Sequence, residues 1–359
     1  MYKNYILLVW IVFLIYSCSD SNSIDKNDIN ISPSDDIGDN NGPSNPSQSD
    51  FNWIVPNNTV NGNFSPFPLS HNPTFSRAKD IDFISDESLV AMVSFKNEIR
   101  VYPYRFISRF ESVNDVIDGN NIAMTYCPIT ESGLCWNRNF KDNLFVLRAS
   151  GYLHLDNVVL HDKESDTFWS QMLVKCIKGT YAGEVNDTFN FIESTWKTVK
   201  DNFGDALVFT NTSTGNSGSK FDTDVKNKNG DIRDGQGVYG IINFRSNKKI
   251  KSEIHAYQYE TFDSGIKLFS KNITNNNVII IGSKDFHFIT SYLNDRNNTF
   301  TAVQNEFPIV MKDDQNNKWN MFGIAVSGPR QGQQLKSPKA FVASWWSWNQ
   351  FYDDFVFQN

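Results

Sequence analysis

The stretch Asn97–Tyr104, NEIRVYPY, is matched later in the chain by Ser252–Tyr259, SEIHAYQY, and this internal match decides the expected fold. At a shift of about 150 residues the chain matches itself again. The further pairs are Trp169 with Trp319, Phe191 with Phe341, Ser194 with Ser344, Trp196 with Trp346, and Val208-Phe209 with Val356-Phe357. Small changes in the shift are what loop insertions and deletions produce. A repeat of this length predicts two related lobes from an internal duplication.

Hydrophobic periodicity predicts that both lobes are α+β, with β predominating. Alternating and β-branched runs predict strands at 89–102, 121–126, 144–147 and 158–160 in the first lobe, and at 250–257, 278–281, 299–303 and 307–311 in the second. Apolar residues recur every three or four positions from Tyr104 to Ile117, which predicts an amphipathic helix. A second helix is predicted over Phe191 to Phe203, with Ser194 as its N-cap.

The N-terminus has the pattern of a bacterial lipoprotein signal peptide over residues 1–17. Lys3 precedes an apolar run from Tyr5 to Tyr16, which is shorter than the about 20 residues of a membrane-spanning helix. The run ends at Ser17-Cys18, so Cys18 is predicted to carry the lipid and to become the mature N-terminus. An ordinary secretory signal with an incidental Cys18 is the alternative. Both kinds of signal imply export. A lipidated Cys18 further implies a membrane-anchored protein of the bacterial cell envelope, periplasmic or surface-exposed.

Composition sets the expected domain limits. Residues 18–50 are almost entirely Ser, Asn, Asp, Pro and Gly, with Ile as the only apolar type after Cys18, which predicts a disordered tether. The first lobe is expected at 51–210, a Gly- and Asn-rich connector at 211–240, and the second lobe at 241–359. The connector has closely spaced oxygen ligands, Asp222, Asp224, Asn227, Asn229 and Asp231, which form at most a weak calcium pattern.

Charge and aromatic content narrow the class of partner. The net charge is −7, from 33 basic and 40 acidic residues without a dense basic block, so no nucleic-acid partner is expected. Aromatic residues make up 14% of the chain, including nine Trp, and we expect most of them in the hydrophobic core. Exposed aromatic rings can also stack on sugars, so a glycan or another small molecule is the expected kind of ligand.

Six spaced motifs between Asn72 and Gly183 carry a family resemblance. They are Asn72-Pro73-Thr74-Phe75, Arg100-Val101-Tyr102-Pro103, Glu111-Ser112-Val113-Asn114-Asp115, Thr125-Tyr126-Cys127-Pro128-Ile129, Ser150-Gly151-Tyr152, and Asp162 with Trp169-Ser170-Gln171. In this order they resemble the bacterial family called domain of unknown function 3179. The resemblance implies an exported protein whose activity is unsettled. That family commonly places His before the Glu of its third motif, and this chain has Phe110 there.

Cys127 is the first candidate for chemistry, because it ends a predicted strand just before a proline that stops pairing. In the second lobe Cys127 and Cys135 fall on Ser283 and Ser291, so the scaffold itself does not require the sulfur atoms. This asymmetry places any site at the Cys127 end of the first lobe. Cys176 is interpreted as a small buried hydrophobic residue.

Three chemistries could use Cys127. It could pair with Cys135 in a disulfide, since exported proteins oxidise paired thiols. It could bind copper or zinc together with His154 or His161, although the spacing matches no standard motif. It could also be a nucleophile activated by His161, with Asp162 or Glu111 nearby. No cofactor is indicated by any motif.

The sequence therefore leads to three functional hypotheses. The first is an exported, lipid-anchored protein that binds a ligand in the first lobe or between the lobes, with Arg105, Asn114, Asp115 and His154 as candidate ligand-binding residues. The second is a thiol-dependent enzyme or redox protein centred on Cys127. The third is metal binding by the cysteine and histidine residues of the first lobe.

Overall fold

A computed structural model describes residues 52–96, 98–210, 237–244, 252–263, 265–273 and 275–357. The predicted signal peptide, the lipidated Cys18, the tether and the calcium pattern of the connector lie outside the described residues. We use lobe one for the described residues of 52–210 and lobe two for those of 237–357. Strands dominate both lobes, which confirms the β-predominant fold class.

Lobe one has two short helices and three larger sheets. Its strands are β1 (Val60–Gly62), β2 (Ser70–His71), β3 (Phe75–Arg77), β4 (Leu89–Phe95), β5 (Glu98–Pro103), β6 (Ser112–Ile117), β7 (Asn120–Cys127), β8 (Ser132–Asn137), β9 (Asn139–Phe140), β10 (Asn143–Leu144), β11 (Leu147–His154), β12 (Asn157–Asp162), β13 (Thr167–Ser170), β14 (Lys175–Lys178), β15 (Thr188–Phe189), β16 (Ile192–Thr195) and β17 (Leu207–Phe209). Its helices are α1 (Tyr104–Ile107) and α2 (Trp196–Asn202).

Lobe two has one helix and three sheets. Its strands are β18 (Gly237–Asn243), β19 (Glu253–Gln258), β20 (Lys267–Ile273), β21 (Asn276–Ser283), β22 (Phe288–Leu293), β23 (Phe300–Ala302), β24 (Ile309–Asp313), β25 (Lys318–Asn320), β26 (Ala325–Ser327), β27 (Ala340–Ser344) and β28 (Asp354–Phe357). Its helix is α3 (Trp345–Phe351). Strand β18 begins at Gly237, inside the stretch predicted as connector.

Each lobe contains one mixed sheet. The strand order is β16-β4-β5-β17-β3 in lobe one and β27-β18-β19-β28 in lobe two. In both sheets the first three strands pair antiparallel. The next pair is parallel in each sheet, and it is β5 with β17 in lobe one and β19 with β28 in lobe two. Helix α2 connects β16 to β17, and α3 connects β27 to β28.

The other sheets are antiparallel apart from one edge strand. The meander sheet is β15-β8-β7-β6-β2 in lobe one, with β2 parallel to β6, and β20-β21-β22 in lobe two. The third sheet is β1-β11-β12-β13-β14 in lobe one and β23-β24-β25-β26 in lobe two. Trp169 of β13 and Trp319 of β25 each stand beside a β-bulge in the third sheet, and both are fully buried.

The two largest hydrophobic cores are shared between the lobes. The first core combines the meander and third sheets of lobe one with Val238 and Ile254 of the lobe-two mixed sheet and Trp348 of α3. The second core combines Val90 of the lobe-one mixed sheet and Trp196 of α2 with lobe-two residues such as Trp319. Because each core is completed by the other lobe, the described residues of the two lobes form a single compact unit.

One helix prediction was wrong and the other was partly wrong. The predicted helix over 104–117 is a single turn, α1, followed by strand β6. The break is at Glu111, whose backbone is left-handed, and the β-branched residues of β6 then pair with β7. Over 191–203 the chain forms strand β16 before α2, and the N-cap is Thr195 rather than Ser194.

Most strand predictions were confirmed in position but not in extent. The run 89–102 is a hairpin of β4 and β5, and the predicted strand at 144–147 contains only the end of β10 and the start of β11. Trp169 and Trp196 are buried, as predicted, whereas Trp346 is half-buried. In the described part of the chain, no helix has both the length and the apolar character needed to cross a membrane.

Candidate functional site

A cavity of about 270 Å³ lies in lobe one, where three segments meet. The segments are the junction between α1 and β6, the turn between β7 and β8, and the middle of β11. The lining residues are Phe67, Ser108, Glu111, Pro128, Ile129, Gly151, Tyr152 and Leu153. Most of these side chains are apolar, so Glu111 brings the only ionisable carboxyl to the wall of this cavity.

Glu111 is held in an unusual conformation. Its φ of 54° is left-handed, and its N–H donates to the carbonyl of Ile107 over 2.7 Å, which closes the α1 turn. Only 8% of the residue is exposed, and its carboxyl has no hydrogen-bond or ion-pair partner within the described part of the chain. Burial raises the pKa of Glu111 to about 8, so the carboxyl is mostly protonated at neutral pH.

The Ser150-Gly151-Tyr152 motif forms a bulge that turns side chains into the cavity. The register between β11 and β12 shifts between Ala149 and Leu153. Gly151 has φ 88°, and a Cβ atom there would lie 2.7 Å from the Ser65 carbonyl oxygen. The Ser150 hydroxyl donates to the Val159 carbonyl over 2.6 Å and accepts from the Tyr152 N–H. Glycine is therefore required for this close approach of the backbone.

Cys127 lies at the end of β7, next to the cavity residue Pro128. Its thiol is fully buried and makes a weak 3.8 Å contact to the Asp156 carbonyl oxygen. Burial raises the pKa of Cys127, and the nearby Glu111 carboxyl raises it further. Because the thiolate is the reactive form, this environment opposes nucleophilic chemistry at Cys127.

The predicted catalytic partners of Cys127 make their hydrogen bonds elsewhere. His154 Nδ1 is 3.2 Å from the Ser170 hydroxyl, and burial lowers the pKa of His154 to about 4. His161 Nε2 is 3.2 Å from Asp166 Oδ1. Asp162 accepts from the Val146 N–H and from Ser165. These groups lie on β11, β12 and the turn after β12, and none of them lines the cavity.

The disulfide and metal alternatives have no geometric support among the described residues. Cys127, Cys135 and Cys176 are free and buried, and the hairpin register places Ser132 opposite Cys127 and Met124 opposite Cys135. No group of three or more His, Cys, Asp and Glu side chains that could hold a metal ion occurs in the described ranges. His154 and His161 therefore do not complete a ligand set with Cys127 there.

Three of the candidate ligand-binding residues brace the sheets or pack locally. The Asn114 side chain donates to the Leu147 carbonyl over 2.7 Å and accepts from the Leu147 N–H over 3.0 Å, which joins β6 to β11. Asp115 accepts from the Tyr102 hydroxyl over 2.6 Å. The Arg105 guanidinium lies 5.6 Å from the centre of the adjacent Phe106 ring. None of the three lines the cavity.

A second buried carboxyl, Glu193, lies where the lobes meet. It accepts a 3.3 Å hydrogen bond from the Tyr259 hydroxyl of lobe two. Burial raises the pKa of Glu193 to about 7. Because this carboxyl already has a partner from the other lobe, it links the lobes rather than facing a ligand.

Lobe two has a pocket of about 380 Å³ beside the turn of its own meander sheet. It is formed by the segment before β20, the turn between β21 and β22, and the segment between β23 and β24, and is lined by Gly265, Ile266, Asp285, Phe286, Gln304, Asn305 and Phe307. The Gln304 amide accepts from the Ile266 N–H over 3.0 Å and donates to the Ile266 carbonyl over 2.7 Å. The Gly265 N–H donates to Asp285 over 3.3 Å. These polar groups of lobe two satisfy one another, unlike Glu111.

The sequence identified part of this site. Glu111 was predicted as a candidate, and the motifs around Cys127 and Gly151 contribute Pro128, Ile129 and Tyr152 to the wall. Phe67, Ser108 and Leu153 were missed. Their sequence context is ordinary, and only the meeting of distant segments brings them together.

Comparison with known proteins gives one match. The family model described as "Protein of unknown function (DUF3179)" matches residues 66–355, which include every residue that lines the lobe-one cavity. The match confirms the resemblance found in the motifs and extends it through lobe two. No curated protein and no solved structure matches the chain.

Proposed function

The chain belongs to this DUF3179 family, and we propose that it binds a small, largely apolar molecule in the lobe-one cavity. The ligand places one polar group against Glu111. The observation that carries this proposal is an acidic residue that is nine-tenths buried, lines a largely apolar cavity, and has a carboxyl without a hydrogen-bond or ion-pair partner among the described residues. A buried polar group without a partner costs about 1–3 kcal/mol, and a ligand that supplies the partner recovers this free energy.

The cavity also favours one ligand class over others. A glycan carries many hydroxyl groups, and this cavity offers few hydrogen-bonding side chains to receive them. A thiol-dependent reaction would need an exposed thiolate, whereas Cys127 is buried and its pKa is raised. Cys127 is better placed as part of the packing behind the cavity.

We propose in addition that the two lobes are copies of one unit. The matching orders of their mixed sheets and the bulges beside Trp169 and Trp319 support this duplication. The contacts between lobes are reciprocal as well. The Ser344 hydroxyl before α3 donates to the Thr130 carbonyl of lobe one, and the Ser194 hydroxyl near α2 donates to the Phe286 carbonyl of lobe two. Thr130 and Phe286 occupy corresponding turns of the two meander sheets.

We also propose that the protein is anchored to the membrane of the bacterial cell envelope through Cys18. The apolar run that ends at Ser17-Cys18 and the polar segment after it support this anchoring. A Cys18→Ala variant should move from the membrane fraction to the soluble fraction. If that variant and the unmodified protein fractionate alike, the anchoring proposal is wrong.

The binding proposal can be tested with benzyl alcohol, a neutral probe with one ring and one hydroxyl. Ligand-observed NMR with the full-length chain should detect binding with a Kd on the order of 1 mM, as expected for a fragment of this size. Ile129→Trp should abolish binding by filling the cavity. Val326→Trp is the matched control, because Val326 is 36% exposed in lobe two and does not line the cavity. Equal binding by both variants would contradict the proposal.

A further inference from the structure

Resting on the proposed binding function, we infer that the ligand of the lobe-one cavity carries a basic nitrogen, whose ammonium pairs with the Glu111 carboxylate. The rest of the ligand is apolar and packs against Phe67, Ile129 and Leu153. The proposed ligand is thus an amine with an apolar body.

The proposed ligand supplies the cation that the Glu111 carboxyl lacks as a partner. Within the described part of the chain no basic side chain forms an ion pair with Glu111, and burial alone accounts for its raised pKa. The ionisable groups on the three cavity segments are directed elsewhere or are not cations. Arg105 packs over Phe106, Arg109 has a partner of its own, His154 bonds Ser170, Glu131 acts on Glu193, and Cys127 is a neutral thiol.

An ammonium fits this wall better than other polar groups. The net charge of −7 opposes an anionic ligand. A neutral hydroxyl or amide would leave the carboxyl protonated and would gain only an ordinary hydrogen bond. An ammonium gains a charge-assisted hydrogen bond with a carboxylate that is largely buried. The rings of Phe67 and Tyr152 also line the cavity, and aromatic faces attract cations.

Binding of an amine changes the protonation of Glu111. With a pKa of about 8, roughly nine in ten Glu111 carboxyls are protonated at pH 7. When an ammonium enters, the carboxyl releases its proton to the buffer, and an N–H···O hydrogen bond forms without any covalent change. About 0.9 proton is therefore released per ligand at pH 7. The affinity for the amine rises as pH increases to about 8 and is then constant, because less free energy is needed to ionise Glu111 at higher pH.

The experiment compares benzylamine with benzyl alcohol on the full-length chain by calorimetry between pH 6 and pH 8.5. Benzylamine should bind more tightly, and its affinity should rise about 50-fold from pH 6 to pH 8. Titrations at pH 7 in buffers of different ionisation enthalpy should report the released proton. Benzyl alcohol should bind with little change between pH 6 and pH 7.

Glu111→Gln is the matched variant, because it keeps the shape of the side chain and removes the charge. It should lose at least tenfold in benzylamine affinity, and it should lose both the pH dependence and the proton release of benzylamine binding. Equal affinity for both probes without proton release would overturn the amine inference and leave the binding proposal standing. If neither probe binds the unmodified protein, or if Ile129→Trp leaves benzylamine binding unchanged, the binding proposal itself fails.

Discussion

Each lobe has a pocket beside the second turn of its meander sheet, and the two pockets differ in how their polar groups are satisfied. In lobe two the Gln304 amide bonds both backbone groups of Ile266, and Asp285 accepts from Gly265. In lobe one the Glu111 carboxyl has no partner within the described residues and is held in a left-handed conformation. The lobe-two pocket thus satisfies these polar groups within the protein, whereas the lobe-one pocket leaves the Glu111 carboxyl without a partner. This difference is the basis for proposing a ligand in lobe one.

The most severe test of the comparison is to separate the lobes. Residues 52–210 expressed alone should lack cooperative unfolding, because lobe two contributes Val238, Ile254 and Trp348 to the first core. Each large apolar side chain contributes about 1.5–3 kcal/mol on burial, and a whole domain is stable by only about 5–15 kcal/mol. Thermal and urea denaturation followed by circular dichroism would measure this. A cooperative transition of isolated lobe one with the midpoint of the full chain would contradict the shared cores.

Substituting the two bulge tryptophans tests whether the lobes are equivalent as scaffolds. Trp169→Ala and Trp319→Ala should each destabilise the protein by about 3–5 kcal/mol, since both indoles are fully buried. Urea unfolding of both variants gives the measurement. Phe357→Ala is the control, because Phe357 is 40% exposed and should cost much less. If Trp319→Ala were tolerated while Trp169→Ala was not, the scaffolds would not be equivalent.

The unpaired acid of lobe one should make stability depend on pH. The pKa of Glu111 is raised to about 8, so the folded state retains a proton that the unfolded chain releases near pH 4.5. The stability that this retained proton gives the folded state is fully present below pH 4.5 and is lost as pH rises through 8. At about 1.4 kcal/mol per pH unit, the free energy of unfolding should fall by a few kcal/mol over this range.

The control for this prediction is Glu111→Gln, which should remove that part of the pH dependence. Urea unfolding at pH 5, 7 and 8.5 would compare the two proteins. Glu193, whose pKa is raised to about 7, is present in both and cancels in the difference. Parallel pH curves for the two proteins would show that Glu111 is already ionised in the folded state.

The reciprocal hydroxyl contacts should have smaller and unequal effects. Ser344→Ala should cost about 1 kcal/mol, because its hydroxyl donates to the Thr130 carbonyl over 2.9 Å in a buried setting. Ser194→Ala should cost less, since the Thr198 hydroxyl also donates to the Phe286 carbonyl, over 3.0 Å. Denaturant midpoints would rank the two variants. A larger loss for Ser194→Ala would mean that Thr198 does not substitute for it.

Much of the fold could be predicted because strand periodicity is local. Runs such as Asn121–Tyr126 carry their own pattern of β-branched and buried residues, and β7 was found there. The helix predicted over 104–117 was wrong because its apolar spacing suits both a helix and the alternation of a strand. Pairing of β6 with β7 and the left-handed turn at Glu111 decide between them, and neither is visible in the spacing.

The site could be predicted only in part. Glu111 and the end of β7 were identified from motifs, but the proposed roles of His154 and His161 depended on distances that a sequence does not contain. Both rings instead have partners on or beside their own sheet, Ser170 and Asp166. The cavity itself arises from backbone features, chiefly the bulge at Gly151. Such features are fixed by tertiary packing rather than by local sequence.

The shared cores also constrain how the chain can fold during synthesis. The first core is closed by Phe341, Trp348 and Tyr352, which follow lobe one by more than 100 residues in the chain. Lobe one therefore keeps apolar surface uncovered until these residues of lobe two have been synthesised. Contacts so distant in sequence give a high contact order and slow folding. Such a delay keeps the chain unfolded longer and leaves its uncovered strands open to aggregation.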